Sequence, residues 1–277
     1  MKKIVLITVA FLFIAFFTGC KKNDYPSPFK ENCKLLSLTG SDGSKTTYTY
    51  DVNGLIDSET FSVSGYTWEC KYTRKRNGQL ESSQKFLNGE IRDNCRYTSS
   101  NGRVVKVEHL DKELTKVMSI RYISYNSKGL LSEQRDEYPD FPESGSKVLF
   151  EYDEVGQFTK RTIEDLNGNI AESDIFKNTG SPSRASEVFL MQHGLSFPEF
   201  DNMGQGAFAL AYPGVGSEVE IYVPIDGKML LVLTQTLVSK ELNMGGYTQS
   251  LSYKFSPEPE GVWTVTFQID CTKSGKN

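Results

Sequence analysis

Apolar and polar residues alternate along much of the chain in the period-two pattern of half-buried β-strands. Residues 66–75, 146–153 and 262–271 each place aromatic and aliphatic side chains on one face and polar side chains on the other. In 262–271 the apolar face consists of Trp263, Val265, Phe267, Ile269 and Cys271. The pattern predicts an all-β protein.

Two further stretches, 130–138 and 157–165, carry charged residues on both faces. An Arg or Lys near a bilayer midplane costs about 2–4 kcal/mol, so these strands do not face lipid. Part of the sheet is therefore expected to meet water on both sides. This leaves an open curved sheet or a water-filled, barrel-like one.

Turn signals recur with a period. Five glycines are spaced by 24, 24, 27 and 27 residues, at Gly54, Gly78, Gly102, Gly129 and Gly156. Between them lie second turn signals at Ser64-Gly65, Asn88-Gly89, Asp111-Lys112 and Asn167-Gly168. Tight hairpins favour Asn-Gly, so the repeated unit is one β-hairpin. The spacing predicts a long antiparallel up-and-down meander over 33–178.

The turns also carry a resemblance. Tyr50-Asp51-x-Asn53-Gly54-Leu55 and Tyr152-Asp153-x-x-Gly156 resemble the YD repeat of Rhs-type proteins. More closely, they resemble repeat-bearing lipoproteins of Bacteroidota from uncharacterised families with a porin-like meander. The resemblance covers 45–178. It implies a fold and an outer-membrane setting, and it carries no catalytic residue across.

The C-terminal third, 179–277, has a different pattern. Ser181-Pro182 predicts the start of a short helix that runs over about 183–193. Strands are expected to follow near 207–212, 218–223, 228–238, 247–255 and 262–271. Because 228–238 is apolar on both faces at its start, we predict that it is a central strand and that the main hydrophobic core lies in this third.

The N-terminus predicts export. Lys2 and Lys3 precede an apolar run, 4–17, that is too short to span a bilayer, and Thr18-Gly19-Cys20 follows. The segment resembles the lipobox of bacterial lipoproteins, with Phe17 where Leu is usual. The resemblance implies cleavage after residue 19 and acyl chains on Cys20, with 20–32 as a tether. The alternative is an ordinary signal peptide followed by an incidental cysteine.

Residues 21–24, Lys-Lys-Asn-Asp, resemble the tag that directs Bacteroidota lipoproteins to the outer face of the outer membrane, the alternative being a solvated tether. We therefore expect a lipid-anchored outer-membrane protein at the cell surface, the periplasmic face being the alternative. The net charge of −4 gives no electrostatic footprint for nucleic acid.

Four further cysteines, Cys33, Cys70, Cys95 and Cys271, would allow two disulfides, and buried thiols are the alternative. Cys70 and Cys95 are expected two strands apart, at about 9.6 Å. Because a disulfide requires about 7 Å or less between Cα atoms, we predict that they do not pair. No Cys-x-x-Cys occurs and no histidine is near a cysteine in sequence, so we predict no metal, cofactor or catalytic residue and interpret His109 and His193 as structural.

Aromatic residues recur at related strand positions. A possible ligand platform comprises Tyr50, Trp68, Tyr72, Tyr97 and Tyr152. Exposed, such a ladder would bind sugar rings or extended peptide, and the alternative is cross-strand packing. The leading hypothesis is a non-enzymatic β-repeat protein that presents a binding or adhesive surface. The others are a glycan-binding accessory lipoprotein of a nutrient-uptake system and a carboxylate-dependent hydrolase.

Overall fold

The computed structural model describes residues 32–154, 158–177, 218–242, 248–256 and 262–272. Within them lie sixteen strands and one 3₁₀ turn, Pro142–Ser144. The strands are β1 Asn32–Gly40, β2 Lys45–Tyr50, β3 Ile56–Val63, β4 Tyr66–Arg74, β5 Leu80–Leu87, β6 Glu90–Ser100, β7 Arg103–Leu110, β8 Val117–Tyr125, β9 Leu131–Glu137, β10 Ser146–Tyr152, β11 Phe158–Asp165, β12 Ile170–Lys177, β13 Glu218–Ile225, β14 Lys228–Leu242, β15 Thr248–Ser256 and β16 Val262–Thr272. No helix of these described ranges combines the length and the apolar character needed to cross a membrane.

Each strand pairs antiparallel with the next one along the chain, which confirms the predicted all-β up-and-down meander. The last strand also returns beside the first, because β16 neighbours β1 in the strand order. There the backbone N–H of Ser41 donates to the carbonyl of Thr264 at 2.8 Å. The N–H of Thr264 donates in turn to Ser41 Oγ at 3.1 Å.

Pairing continues from the repeat region into the C-terminal strands, since β12 pairs with β13 and Ser173 lies opposite Tyr222. The four predicted strands at 218–223, 228–238, 247–255 and 262–271 correspond to β13–β16. The helix expected at 183–193, the strand expected at 207–212 and the boundary at 179–183 lie outside the described residues. So do the side chains of the apolar face predicted for β16.

We call the end of the sheet where β1 begins the proximal end, and the other the distal end. Proximal loops join β2–β3, β4–β5, β6–β7 and β8–β9, with turns at Gly54, Gly78, Gly102 and Gly129 as predicted. Gly156 lies outside the described residues. Distal turns are at 41–44, 64–65, 88–89, 111–116, 138–145, 166–169 and 226–227.

The repeated loops have a common internal structure. In the loop that Asp51 begins, its carboxylate accepts hydrogen bonds from the backbone N–H groups of Asn53 and Leu55 at 2.8 and 2.9 Å. Asn126 and Asp165 make the same two contacts with their own loops. Gly54 takes φ of +78°, a region that favours glycine. An Asx side chain thus closes each of these loops locally.

The tyrosine that precedes such a loop ties two strands together. Tyr50 donates its hydroxyl to the carbonyl of Leu35 on β1 at 2.5 Å, and Tyr125 donates to the carbonyl of Val104 on β7 at 2.8 Å. Basic side chains lie over both rings, Lys34 over Tyr50 at 5.0 Å and Arg103 over Tyr125 at 5.1 Å. The Tyr-Asx pair is therefore a structural device that joins a strand clamp to a loop cap.

The buried face of the described sheet mixes apolar and polar side chains. Its most deeply buried members are Ile56, Ser83, Cys95 and Val107. Glu59, Gln134 and Asp174 are buried among them. We call this the inner face. Because period-two alternation puts residues i and i+2 on one face, the strand register decides which polar groups meet there.

Candidate functional site

Cross-strand ion pairs lie on the inner face. Arg121 binds Asp136, which is directly opposite on β9, through two hydrogen bonds of 2.7 Å each. Arg161 similarly lies opposite Asp174, with Nη2 2.6 Å from Oδ2, and it also contacts Glu172. Burial raises the pKa of Asp174 to about 6, although the charge of Arg161 opposes this rise. These carboxylates are held by arginines and serve as structural pairs.

A second polar cluster joins β5, β6 and β7 on the same face. Asp93 Oδ2 lies 2.8 Å from His109 Nδ1, and Cys95 Sγ lies 3.5 Å from Asp93 Oδ2 and 3.4 Å from His109 Nδ1. Lys85 Nζ approaches Asp93 Oδ2 to 3.6 Å. Cys95 is buried, while Asp93 and His109 are each a little over one-fifth exposed. We call Asp93, Cys95 and His109 the Asp–Cys–His triangle.

Strand register assembles this triangle. Asp93 and Cys95 are two residues apart on β6, so they share a face; Lys85 pairs with Asp93 and His109 pairs with Cys95. The pairing of β6 with β7 contains a bulge at Thr98/Ser99. If the register of the Ser100–Arg103 pair continued along the strands without that bulge, Glu108 rather than His109 would lie opposite Cys95. One extra residue therefore turns His109 toward the thiol.

The sequence predicted no metal site, and its pattern did not reveal this triangle. His109 is 14 residues from Cys95 along the chain, so linear spacing does not reveal the contact. A signal was available in the repeat, because β2–β3, β4–β5 and β8–β9 also shift register next to their proximal loops. If one bulge is assumed beside every proximal loop, including the β6–β7 loop, His109 is predicted to lie opposite Cys95.

The three donor atoms of the triangle converge. Burial tends to raise the pKa of Asp93, but the hydrogen bond and charge of His109, aided by Lys85 and Cys95, hold that pKa below its usual value. Asp93 is therefore an ionised carboxylate. Both Asp93 and Cys95 contact the same ring nitrogen of His109, whereas a nucleophile–histidine–carboxylate relay uses the two opposite nitrogens. The arrangement suits a shared ligand at its centre better than proton relay.

The residues of the possible ligand platform do not form one exposed surface. Tyr72 and Tyr97 are buried, with their hydroxyls bonded to Glu59 and Ser83. Tyr50 and Tyr152 are half-buried, and burial raises the pKa of each. Trp68 differs from these four, since it is 42% exposed.

Exposed apolar side chains concentrate at the distal end of the described sheet. We call this group the apolar rim; its members are Tyr66, Trp68, Leu114, Met118, Tyr138, Phe141, Ile170, Ile225, Met229, Leu230, Leu231, Val232 and Val262. The remaining exposed apolar residues of the described ranges, Val52, Ile175 and Val238, lie toward the proximal end. The β13–β14 hairpin contributes most to the rim, around its two-residue turn at 226–227.

Cys70 and Cys95 lie on β4 and β6 with β5 between them, and both are buried thiols. Cys20 and His193 lie outside the described residues, as do the side chains of Cys33 and Cys271. The lipidation predicted at Cys20 thus stays a prediction.

Comparisons with known proteins show a similarity of fold only. No protein-family model matches the chain, and no curated protein matches it. Among solved structures, a porin-like protein from Bacteroides uniformis is 13% identical with a TM-score of 0.52, over 85% of this chain and 96% of that one. A porin-like protein from Bacteroides vulgatus is 7% identical with a TM-score of 0.38, over 84% and 97%.

A third similar structure is the Tc holotoxin pore of Photorhabdus luminescens, 14% identical with a TM-score of 0.30. The match covers 79% of this chain and 11% of that one. The likeness to the Bacteroides uniformis protein supports the predicted fold. The chain is thus an antiparallel β-meander similar in fold to a porin-like protein.

Proposed function

We propose that the chain is a non-enzymatic, lipid-anchored outer-membrane protein whose β-repeat body presents a binding surface at its distal end. The lipobox-like segment ending in Cys20 supports the anchor, and the likeness to a porin-like protein from Bacteroides supports the habitat. The observation that carries the binding surface is the apolar rim. Its densest part is a row of four consecutive exposed apolar residues on β14, 229–232, and an exposed apolar patch of this kind marks an interaction site.

The direction of the chain bears on where the rim lies relative to the tether. β1 begins at the proximal end, so a tether running from Cys20 joins the sheet there. The rim therefore lies at the end of the sheet opposite this attachment point, where it is available to another molecule. The Lys-plus-acidic segment after Cys20 favours the cell surface, which would direct the rim to the exterior.

A specific observation supports a second candidate, a glycan-binding accessory lipoprotein. Trp68 lies opposite Phe61 and is followed toward the turn by Tyr66, which lies opposite Val63. Tyr66 and Trp68 are both exposed. An exposed indole can stack on a sugar ring, and Trp68 is the most exposed member of the predicted aromatic platform.

Membrane attachment is tested in cells. Wild type should incorporate labelled fatty acid and should be digested by protease added to intact cells. Cys20→Ala should lose the label and leave the membrane fraction. If the variant keeps both its label and its membrane association, the anchor is wrong; if wild type is protected in intact cells and digested only after lysis, the periplasmic face is correct.

The binding surface is tested by site-specific photo-crosslinking of the full chain on cells. A crosslinker at Met229 or Trp68 should give adducts with a defined partner. The matched control is a crosslinker at Val52, which is fully exposed but lies in a proximal loop. Equal adducts from Val52 and Met229 would contradict a distal binding surface. A Trp68 adduct that polysaccharide competes away would favour the glycan-binding candidate.

A further inference from the structure

We propose that the Asp–Cys–His triangle is a binding site for a borderline divalent metal ion of the Zn²⁺ type. Thiolate, imidazole and carboxylate are the three ligand types that proteins use for Zn²⁺, and each residue here supplies one of them. The three donor atoms come from two paired strands, β6 and β7. This proposal goes beyond the binding surface at the rim and uses none of its residues.

The distances fit such a site. Metal bonds of about 2.0–2.3 Å at tetrahedral angles put neighbouring donor atoms about 3.3–3.6 Å apart. Sγ of Cys95 already has this separation from both partners, at 3.4 and 3.5 Å. The third side, from Asp93 Oδ2 to His109 Nδ1, is 2.8 Å because a proton joins the two atoms. An ion that replaces this proton requires these two side chains to move apart by only about 0.5 Å.

Proton balance is straightforward. Asp93 is ionised, so the proton shared with it belongs to His109 Nδ1, which therefore donates. Metal binding displaces the proton of the Cys95 thiol and the Nδ1 proton of His109, so that the imidazole binds as a neutral ligand through Nδ1 with its remaining proton on Nε2. The two anionic ligands then balance the charge of the divalent ion, and a water molecule can complete the tetrahedron at the partly exposed side, between Asp93 and His109.

Lys85 is a neighbouring group that opposes the ion. Its ammonium lies 3.6 Å from Asp93 Oδ2 and it is 13% exposed, so it competes with a cation for the same carboxylate. A site for a small anion would use Lys85 as a ligand and would not need the thiol. Removal of the Lys85 charge should therefore have opposite effects on the two kinds of ligand, which makes it a sharp test.

The experiment measures binding of Zn²⁺ to the purified full chain by competition with a colorimetric chelator. Co²⁺ is used in parallel, because a thiolate bound to Co²⁺ gives a near-ultraviolet charge-transfer band. Wild type should bind one equivalent and show the band. Cys95→Ala, His109→Ala and Asp93→Asn should each weaken binding about 100-fold, since even groups that only support metal ligands contribute 10–100-fold. Lys85→Met should tighten binding about tenfold, because it removes a like charge.

The matched control is Cys70→Ala, which removes another buried thiol of the inner face, two strands away. It should keep both the affinity and the Co²⁺ band. The proposal is overturned if wild type binds no stoichiometric ion, if Cys95→Ala keeps the band, or if Cys70→Ala loses it. It is also overturned if Lys85→Met binds Zn²⁺ more weakly. If Cys95→Ala does not fold, the change at His109 decides the same question.

Discussion

The hairpins of β2–β12 and the hairpin of β13–β14 share one antiparallel architecture. They differ in the kind of side chain that their faces carry. In the first region the inner face holds partly buried pairs such as Arg121–Asp136, and the outer face carries further pairs such as Lys147–Glu164 at 2.7 Å. In the β13–β14 hairpin, Met229, Leu230 and Leu231 are exposed around the turn. The repeat region thus carries charged pairs on both sides of the sheet, whereas the β13–β14 hairpin exposes apolar side chains around its turn.

The largest expected effect separates these two regions by stability. Ile56→Ala should lower the free energy of unfolding by about 2–5 kcal/mol, because Ile56 is fully buried and its loss leaves a cavity. Met229→Ala in the β13–β14 hairpin should change it by about 0.5 kcal/mol or less. Urea denaturation of both variants measures the contrast. Equal losses would mean that the hairpin belongs to the core.

The second prediction concerns the buried charges of the repeat region. Asp174 has a pKa of about 6 in the folded protein against 3.8 in the unfolded chain, so the folded state holds this proton more tightly. Its contribution to stability is present below pH 3.8 and is lost as the pH rises to 6. The loss is about 3 kcal/mol. Because Asn imitates the protonated acid, Asp174→Asn should remove this part of the pH dependence.

Denaturation of wild type and Asp174→Asn at pH 4 and pH 7 tests that sign. The stability difference between the two proteins should favour the variant more at pH 7 than at pH 4. Arg161 faces Asp174 from β11, and Glu172 faces it from its own strand, β12. A difference that does not vary with pH would show that Arg161 neutralises Asp174 fully.

A smaller effect is expected from the loop caps that repeat along the first region. Asp51→Ala should cost about 1 kcal/mol, because the N–H groups of Asn53 and Leu55 lose their acceptor. Asp57→Ala is the matched control, an exposed aspartate on the neighbouring strand. Urea midpoints of the two variants give the comparison. A loss at Asp57 as large as that at Asp51 would remove the cap as the cause.

Particular residues explain how much of the fold could be predicted. Glycines such as Gly54 and Gly78 mark reversals because their positive φ is rare in other residues, so the meander could be predicted from spacing. The register was not predicted, because a bulge such as that at Thr98/Ser99 is a matter of one residue and leaves no compositional mark at its own position. Its signal is the recurrence of such bulges beside the proximal loops. The Asp–Cys–His triangle depends on that bulge and was missed.

The β13–β14 hairpin shows that exposure is harder to predict from sequence than strand position. An apolar run on both faces, as at Met229–Val232, predicts a central strand, and β14 is indeed flanked by β13 and β15. Exposure is a different property, since hydrophobic periodicity records which faces are apolar and not what covers them. The same pattern thus fits a strand inside a core and one that awaits a partner.

The smallest expected change in stability gives the sharpest test of this difference. Leu230→Gln should alter the free energy of unfolding by about 0.5 kcal/mol or less, because Leu230 is 44% exposed. The same variant should bind less of a fluorescent apolar dye, since it removes part of the apolar rim. Val52→Gln, at an exposed residue apart from the rim, should change neither quantity. If Leu230→Gln instead unfolds the protein readily, the hairpin is covered by the chain itself, and the contrast between the two regions would not hold.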